Sequence, residues 1–157
     1  MSHDIQFVLA TPNDIPILID YRIRFLSEHF GPQNDDVVTA FKQAMQKYFE
    51  VALISKDYIC WYAVSGDVVA GIGGLVIRLR PGNFINVEGK EAYIMSMYTL
   101  PEYRRQGIAA GIAQRLINSA SELGVKVFEL HATEEGEPVY IKEGFKKHHE
   151  PTYRKYL

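Results

Sequence analysis

The chain has 157 residues, 47% of them hydrophobic, which suffices for one compact domain, residues 1–157, whose core needs no disulfide or metal. Its 17 lysines and arginines nearly balance 19 aspartates and glutamates, and the net charge of -2 excludes a whole-molecule attraction to nucleic acid or to an anionic membrane. A single cysteine, Cys60, excludes an internal disulfide framework, and the N-terminal residues lack the basic and apolar regions of a signal peptide, so a cytoplasmic protein is expected.

In chain order, Ile5 to Ala10 reads as a strand. Thr11-Pro12-Asn13-Asp14 then carries an N-cap, a proline at the first helical position and an acid three residues on, which starts a helix running to about Phe30. Gly31-Pro32 stops it, and Asp35-Asp36 opens a second helix expected over Val37 to Phe49. Tyr58 to Ser65 and Val68 to Arg78 read as strands joined by Ser65-Gly66-Asp67, a tight-turn composition that predicts an antiparallel hairpin. Within the first of these, Cys60 reads as a buried strand thiol. Polar Arg80 to Lys90 reads as a loop, Glu91 to Thr99 as a strand, and Ile108 to Leu123 as a helix ended by Gly124. Val125 to Ala132 is a further strand, Pro138 to Glu143 a short helix stopped by Gly144, and Phe145 to His148 and Tyr153 to Leu157 two last short strands. The order β-α-α-β-β-β-α-β-α-β-β predicts an α/β fold, a central mixed sheet with helices on both faces and one parallel crossover unit.

The chemistry concentrates between Tyr98 and Gly111. There a strand ends, Pro101 sets a turn, and small residues introduce a helix. The first N–H groups of a helix have no intrahelical partner and sit at the positive end of its dipole, so a glycine-lined entry is an anion site. Arg104 and Arg105 add positive charge there.

Arg104-x-x-Gly107-x-Ala109, preceded by Pro101-Glu102-Tyr103, resembles the acetyl-CoA loop of the GNAT superfamily of N-acetyltransferases. Glu137-Pro138-Val139-Tyr140-Ile141-Lys142-Glu143-Gly144-Phe145 is similar to that superfamily's later tyrosine-bearing block, in the expected order and distance. The resemblance implies an acetyl-CoA-dependent N-acetyltransferase that acetylates a primary amine by direct attack in a ternary complex. It implies that the CoA pyrophosphate lies over the backbone of Arg104, Arg105, Gln106, Gly107, Ile108, Ala109 and Ala110. It further implies that Met97, Tyr98 and Thr99 splay from the strand at Val125 to Ala132 and pair with the pantetheine arm as an added strand would. By the same resemblance Tyr140 protonates the departing thiolate, a role suited to a phenol whose ordinary pKa is about 10. Glu129, sharing one strand face with His131, takes the position of a glutamate that serves as base; Glu91 and Tyr93 are the next candidates, and a backbone N–H at Tyr98 or Thr99 could assist the oxyanion.

Other residues carry less. His148 and His149 are expected on opposite faces of a strand, without the spacing of a metal site, and no metal is expected. Tyr58, Trp61, Tyr62 and Phe84 read as core and rim rather than base-stacking groups, since no basic residues interleave with them. Arg22, Phe25, Glu28 and His29 could form one mixed face of the first helix, solvated by default, in the region where such enzymes place the acceptor groove. The expected partners are acetyl-CoA and an amine acceptor, a polyamine, an aminoglycoside-like compound or a peptide amine. A homodimer through the C-terminal strands rests on analogy. The competing class is a non-catalytic acyl-CoA-binding regulatory module, which the presence of Tyr140 disfavours.

Overall fold

The computed structural model describes residues 4–157. Five strands form one sheet in the order β1 to β5: β1 Ile5–Leu9, β2 Tyr58–Ser65, β3 Val68–Leu79, β4 Lys90–Thr99 and β5 Val127–Leu130. The first three pairings are antiparallel and β4–β5 is parallel, the crossover that the helix between them requires. Helices α1 (Ile15–Phe30) and α2 (Asp35–Ser55) cover one face, and α3 (Ile108–Glu122) covers the other; α4 (Glu137–Lys142) follows β5.

Each face has its own core. Ile15, Leu18, Ile19 and Tyr21 of α1 and Phe49 and Ala52 of α2 meet Tyr58, Cys60, Ile72 and Tyr98. Across the sheet, Ile108, Ile112, Leu116 and Ala120 of α3, at four-residue spacing, meet Ala63, Leu75, Ala92 and Ile94. Glycines in β3 permit the close approach of α3: a Cβ on Gly71 would come within 2.7 Å of the Ile108 side chain, and one on Gly73 within 2.7 Å of Ile112.

Several elements differ from the sequence expectation. The Thr11 signal works one step earlier than expected. The Asp14 carboxylate accepts from the Thr11 N–H (2.8 Å) and hydroxyl (3.2 Å), which closes a 3₁₀ turn at Pro12–Asp14, and α1 begins after it. Helix α2 runs six residues past Phe49, because Ala52 continues the buried stripe and Lys56, at φ 62°, ends the helix in a left-handed conformation without glycine. Strand β5 is four residues long; Val125 lies before it, buried in the α3 core, and His131 lies just beyond it. The two expected C-terminal strands are not formed. Phe145 packs against the α3 core, whereas the segment from 146 to 157 is exposed and carries no ladder. A four-residue edge offers few ladder bonds, and Pro151 removes a donor from the segment that would use them. His148 and His149, off any strand, stack their rings at 4.8 Å instead of facing opposite ways. Among the described residues, no helix is long and apolar enough to cross a membrane.

Candidate acetyl-CoA and acceptor site

The end of β4 is where the sheet opens. Pairing of β4 with β5 covers only Glu91 to Ile94, against Val127 to Leu130, so Met95 to Thr99 have no β5 partner. Their other edge stays paired to β3 at Ile72↔Tyr98 and Gly71↔Thr99. Met97, Tyr98 and Thr99 therefore present one free backbone edge, as the splay predicted from the motif requires.

A bulge sits inside this stretch. Two steps along β3, from Ile72 to Gly74, oppose three along β4, from Tyr98 to Met95, and Ser96 takes φ 56°. As a result Met95, Ser96 and Tyr98 contact the α1–α2 side, whereas Met97 packs with the α3 core. Nothing in the sequence around Ser96 announces this bulge, since serine at positive φ carries no glycine-like signal.

Beyond β4, Leu100 N–H donates to Ala70 C=O (2.9 Å), and a 3₁₀ turn at Pro101–Tyr103 follows. Arg105 (φ 62°) and Gly107 (φ 79°) alternate with right-handed or extended neighbours, which bends the chain into the start of α3 with Gly107 as N-cap. The first backbone bond that closes α3 runs from Gly111 N–H to Gly107 C=O (2.9 Å), so the N–H groups of Ile108, Ala109 and Ala110 lack an i−4 partner. A Cβ at Gly107 would meet nothing within 4 Å. Glycine is needed there for its φ, and the space over the helix start is open. Gly111 differs, since a Cβ there would run into the Phe7 ring, on which Arg115 also stacks at 3.8 Å.

The two signature arginines part company. Arg104 turns back: its Nε donates to Thr99 C=O (3.0 Å) and its guanidinium reaches Glu28 (3.4 Å) and the Tyr98 ring (5.9 Å). Its side chain staples the loop to β4 and α1, and its backbone N–H donates to Pro101 C=O (3.2 Å). Arg105 is exposed, and Gln106 Nε2 donates to Glu102 C=O (3.3 Å).

Tyr140 lies on α4, which Gln114 of α3 ties down by donating to Glu143 (3.0 Å). The Phe145 N–H donates to Tyr140 C=O (3.0 Å), and the two rings meet edge to face at 5.9 Å. Burial raises the Tyr140 pKa above the ordinary phenol value. The hydroxyl therefore stays protonated through neutral pH and is available as a donor.

The base candidates gather at the paired end of β4. Glu91, 4% exposed, accepts from Arg78 Nε (2.6 Å) and pairs with Arg80 (3.1 Å); exposed Glu129 pairs with Arg78 at 3.4 Å. Tyr93, opposite Glu129 in register, lies beneath the Arg78 guanidinium (5.4 Å) and beside the His131 ring (5.7 Å). Cys60 is fully buried, and burial pushes its thiol well up from the usual range, which removes it as a nucleophile.

The expected mixed face of α1 is divided. Arg22 is half-buried and its Nη1 donates to Ser96 Oγ (2.6 Å), while Glu28 accepts from the Tyr98 hydroxyl (2.7 Å); Phe25 packs with the α1–α2 core, and His29 is exposed. Arg22 lines a pocket of about 170 Å³ with Met45, Tyr48, Tyr58, Val76 and Met95. A larger apolar pocket of about 330 Å³ lies between α1 and α2, lined by Ile23, Leu26, Phe30, Val38 and Phe41 among others. Of the aromatic residues read as core, Tyr58 and Tyr62 are buried and Trp61 donates to Ser119 (3.0 Å), but Phe84 is fully exposed on the β3–β4 loop.

Comparison with known proteins agrees with the fold. A predicted acetyltransferase from Clostridium acetobutylicum, solved with acetyl-CoA, is similar at 28% identity and a TM-score of 0.85, over 97% of this chain and 96% of that one. A GCN5-related N-acetyltransferase from Ralstonia eutropha has the same fold at 21% identity, with a TM-score of 0.81 over 97% and 99% of the two chains. Glucosamine-6-phosphate N-acetyltransferase from Arabidopsis thaliana shares the fold at 15% identity, with a TM-score of 0.70 over 98% and 99%. Comparison with curated protein sequences finds no match. Residues 28–157 match the Acetyltransferase (GNAT) domain, a span that includes both motif blocks, and the chain thus belongs to the GNAT family as an N-acetyltransferase.

Proposed function

We propose that the protein transfers the acetyl group of acetyl-CoA to a primary amine of a small molecule or peptide by direct attack in a ternary complex. The observation that carries this reading is the open, left-handed entry to α3 beside the unpaired end of β4. One feature suits a pyrophosphate and the other a pantetheine arm, and they adjoin in the order that CoA needs. The C. acetobutylicum relative, with acetyl-CoA in its structure, supports the same choice of acyl donor.

In this reading the backbone N–H groups from Arg105 to Ala110 hold the phosphates, the Arg104 N–H being engaged with Pro101 C=O (3.2 Å), and the free edge of Met97, Tyr98 and Thr99 aligns the thioester arm. A backbone N–H at Tyr98 or Thr99 steadies the carbonyl oxygen as negative charge develops on it. The amine attacks as the neutral species. Glu129, through water, takes its proton, and Tyr140 gives a proton to the sulfur as the C–S bond breaks. The Arg78 ion pair (3.4 Å) restrains the Glu129 side chain.

The test is acetyl-CoA-dependent thiol release with polyamines, aminoglycosides, amino acids and peptide N-termini as acceptors. Turnover on one class establishes the enzyme and its acceptor. Tight CoA binding with no turnover on any class selects the regulatory module instead. On the accepted class, Glu129→Gln is expected to lower kcat roughly 30-fold with acetyl-CoA affinity unchanged. An unaltered kcat removes Glu129 as the base.

We also propose that two copies associate through the exposed C-terminal segment. Tyr153, Tyr156 and Leu157 are exposed apolar side chains on an unpaired segment, and the outer edge of β5 is open. Sedimentation is expected to give twice the 17.9 kDa chain mass, and the mass of one shortened chain after deletion of Thr152 to Leu157. A full-length monomer at micromolar concentration overturns this.

A further inference from the structure

Arg22 is placed unlike the other arginines of the molecule, of which Arg105 and Arg154 are exposed to solvent. Arg24, Arg78, Arg80 and Arg104 each have a carboxylate within 4.0 Å: Asp20, Glu91 with Glu129, Glu91, and Glu28 respectively. Arg115 has none, but it stacks on Phe7 and Trp61 and donates to Gly111 C=O (3.0 Å). Arg22 projects from α1 toward the sheet, and among the described residues its guanidinium has only the neutral Ser96 hydroxyl as a hydrogen-bond partner. The rest of its pocket is Met45, Tyr48, Phe49, Tyr58, Val76 and Met95. A guanidinium carries five N–H donors in a fork that matches a carboxylate, and a half-buried charge among apolar groups needs a counter-charge.

From this we infer that Arg22 binds a carboxylate of the acceptor, so that the amine acetylated also bears a carboxylate and a short apolar body. The inference rests on the acetyl-transfer reading above and narrows its acceptor. The Ser96 contact sets the geometry: Ser96 is the bulge residue within the unpaired stretch Met95 to Thr99 of β4, so a carboxylate on Arg22 leaves an amine a few bonds away facing the thioester edge. The pocket, about 170 Å³, accepts an amino acid side chain but not an aminoglycoside. Burial raises the pKa values of Tyr48 and Tyr58, so both phenols remain neutral and add no negative charge to compete with the ligand.

The experiment separates this claim from catalysis by using a probe that cannot be acetylated. Binding of 3-phenylpropionate and of 3-phenylpropionamide to the full chain is followed by ligand-observed NMR titration, for wild type, Arg22→Lys and Arg22→Met. Acetyl-CoA binding and thermal unfolding of each variant are measured alongside. The acid is expected to bind at least about tenfold more tightly than the amide in wild type, a preference that shrinks in Arg22→Lys and vanishes in Arg22→Met while acetyl-CoA affinity is kept. Equal binding of acid and amide by wild type, no binding of either, or a preference that survives Arg22→Met would each overturn the inference. Turnover of polyamines in preference to amino acids would also overturn it and leave the acetyl-transfer reading standing. A failure to bind acetyl-CoA would instead sink the reading beneath it.

Discussion

Gly107→Asp is expected to weaken acetyl-CoA binding at least about 100-fold, and Gly107→Asn about tenfold or less. Gly107 holds φ 79° at the N-cap of α3, a conformation that asparagine and aspartate visit more readily than other side chains. Both are also favourable N-cap residues, so either variant keeps the helix start. Neither clashes with the folded chain, because a Cβ at this position meets nothing within 4 Å. What separates the variants is one negative charge, placed on the N–H groups of Ile108 to Ala110 where the phosphates would lie. The Asn variant reports the cost of a side chain in the approach path, and the Asp variant adds charge repulsion. Isothermal titration with acetyl-CoA at two salt concentrations checks both numbers, and the extra loss in the Asp variant should shrink as salt rises. If the two variants bind alike, the phosphates do not sit over this helix.

Why was this loop legible in sequence when its neighbours were not? The turn at Arg104 to Ala109 imposes a positive φ at Gly107, and a backbone demand of that kind is written as glycine at a fixed spacing. Gly124 and Gly144 work the same way, at φ 86° and 91°, and the ends of α3 and α4 were read within a residue or two. Ser96 and Lys56 meet the same kind of demand without glycine, so the β4 bulge and the true end of α2 left no mark. The two missing C-terminal strands are a different failure. Alternation of side chains tells which residues suit a strand but not whether an edge is long enough to receive them, and β5 is four residues long. Arg22 is a third case. On a helical wheel it neighbours Leu18, Ile19, Phe25 and Leu26, so the apolar stripe itself marks it as facing inward, whereas the partner it meets there, Ser96, depends on a bulge that the sequence does not announce.

The second large effect is expected at Tyr140. Tyr140→Phe removes one oxygen from a half-buried ring whose edge-to-face packing on Phe145 does not depend on the hydroxyl. Fold and acetyl-CoA affinity should therefore persist, while kcat falls on the order of 100-fold, the range for loss of a positioned general acid. The pH dependence follows from the direction of the shift. Desolvation raises the Tyr140 pKa, so the phenol is protonated, and able to donate, at every pH below its ordinary value of about 10. Wild-type kcat should show no loss assignable to Tyr140 between pH 7 and about 10, and should fall only as pH passes the raised value. The variant should lose that alkaline limb together with most of its rate. Its deficit should also narrow with an acyl donor whose thiol is more acidic than CoA, because a better leaving group needs less help from an acid. A donor-independent deficit would instead assign Tyr140 to positioning the thioester, with the sulfur leaving as an unassisted thiolate.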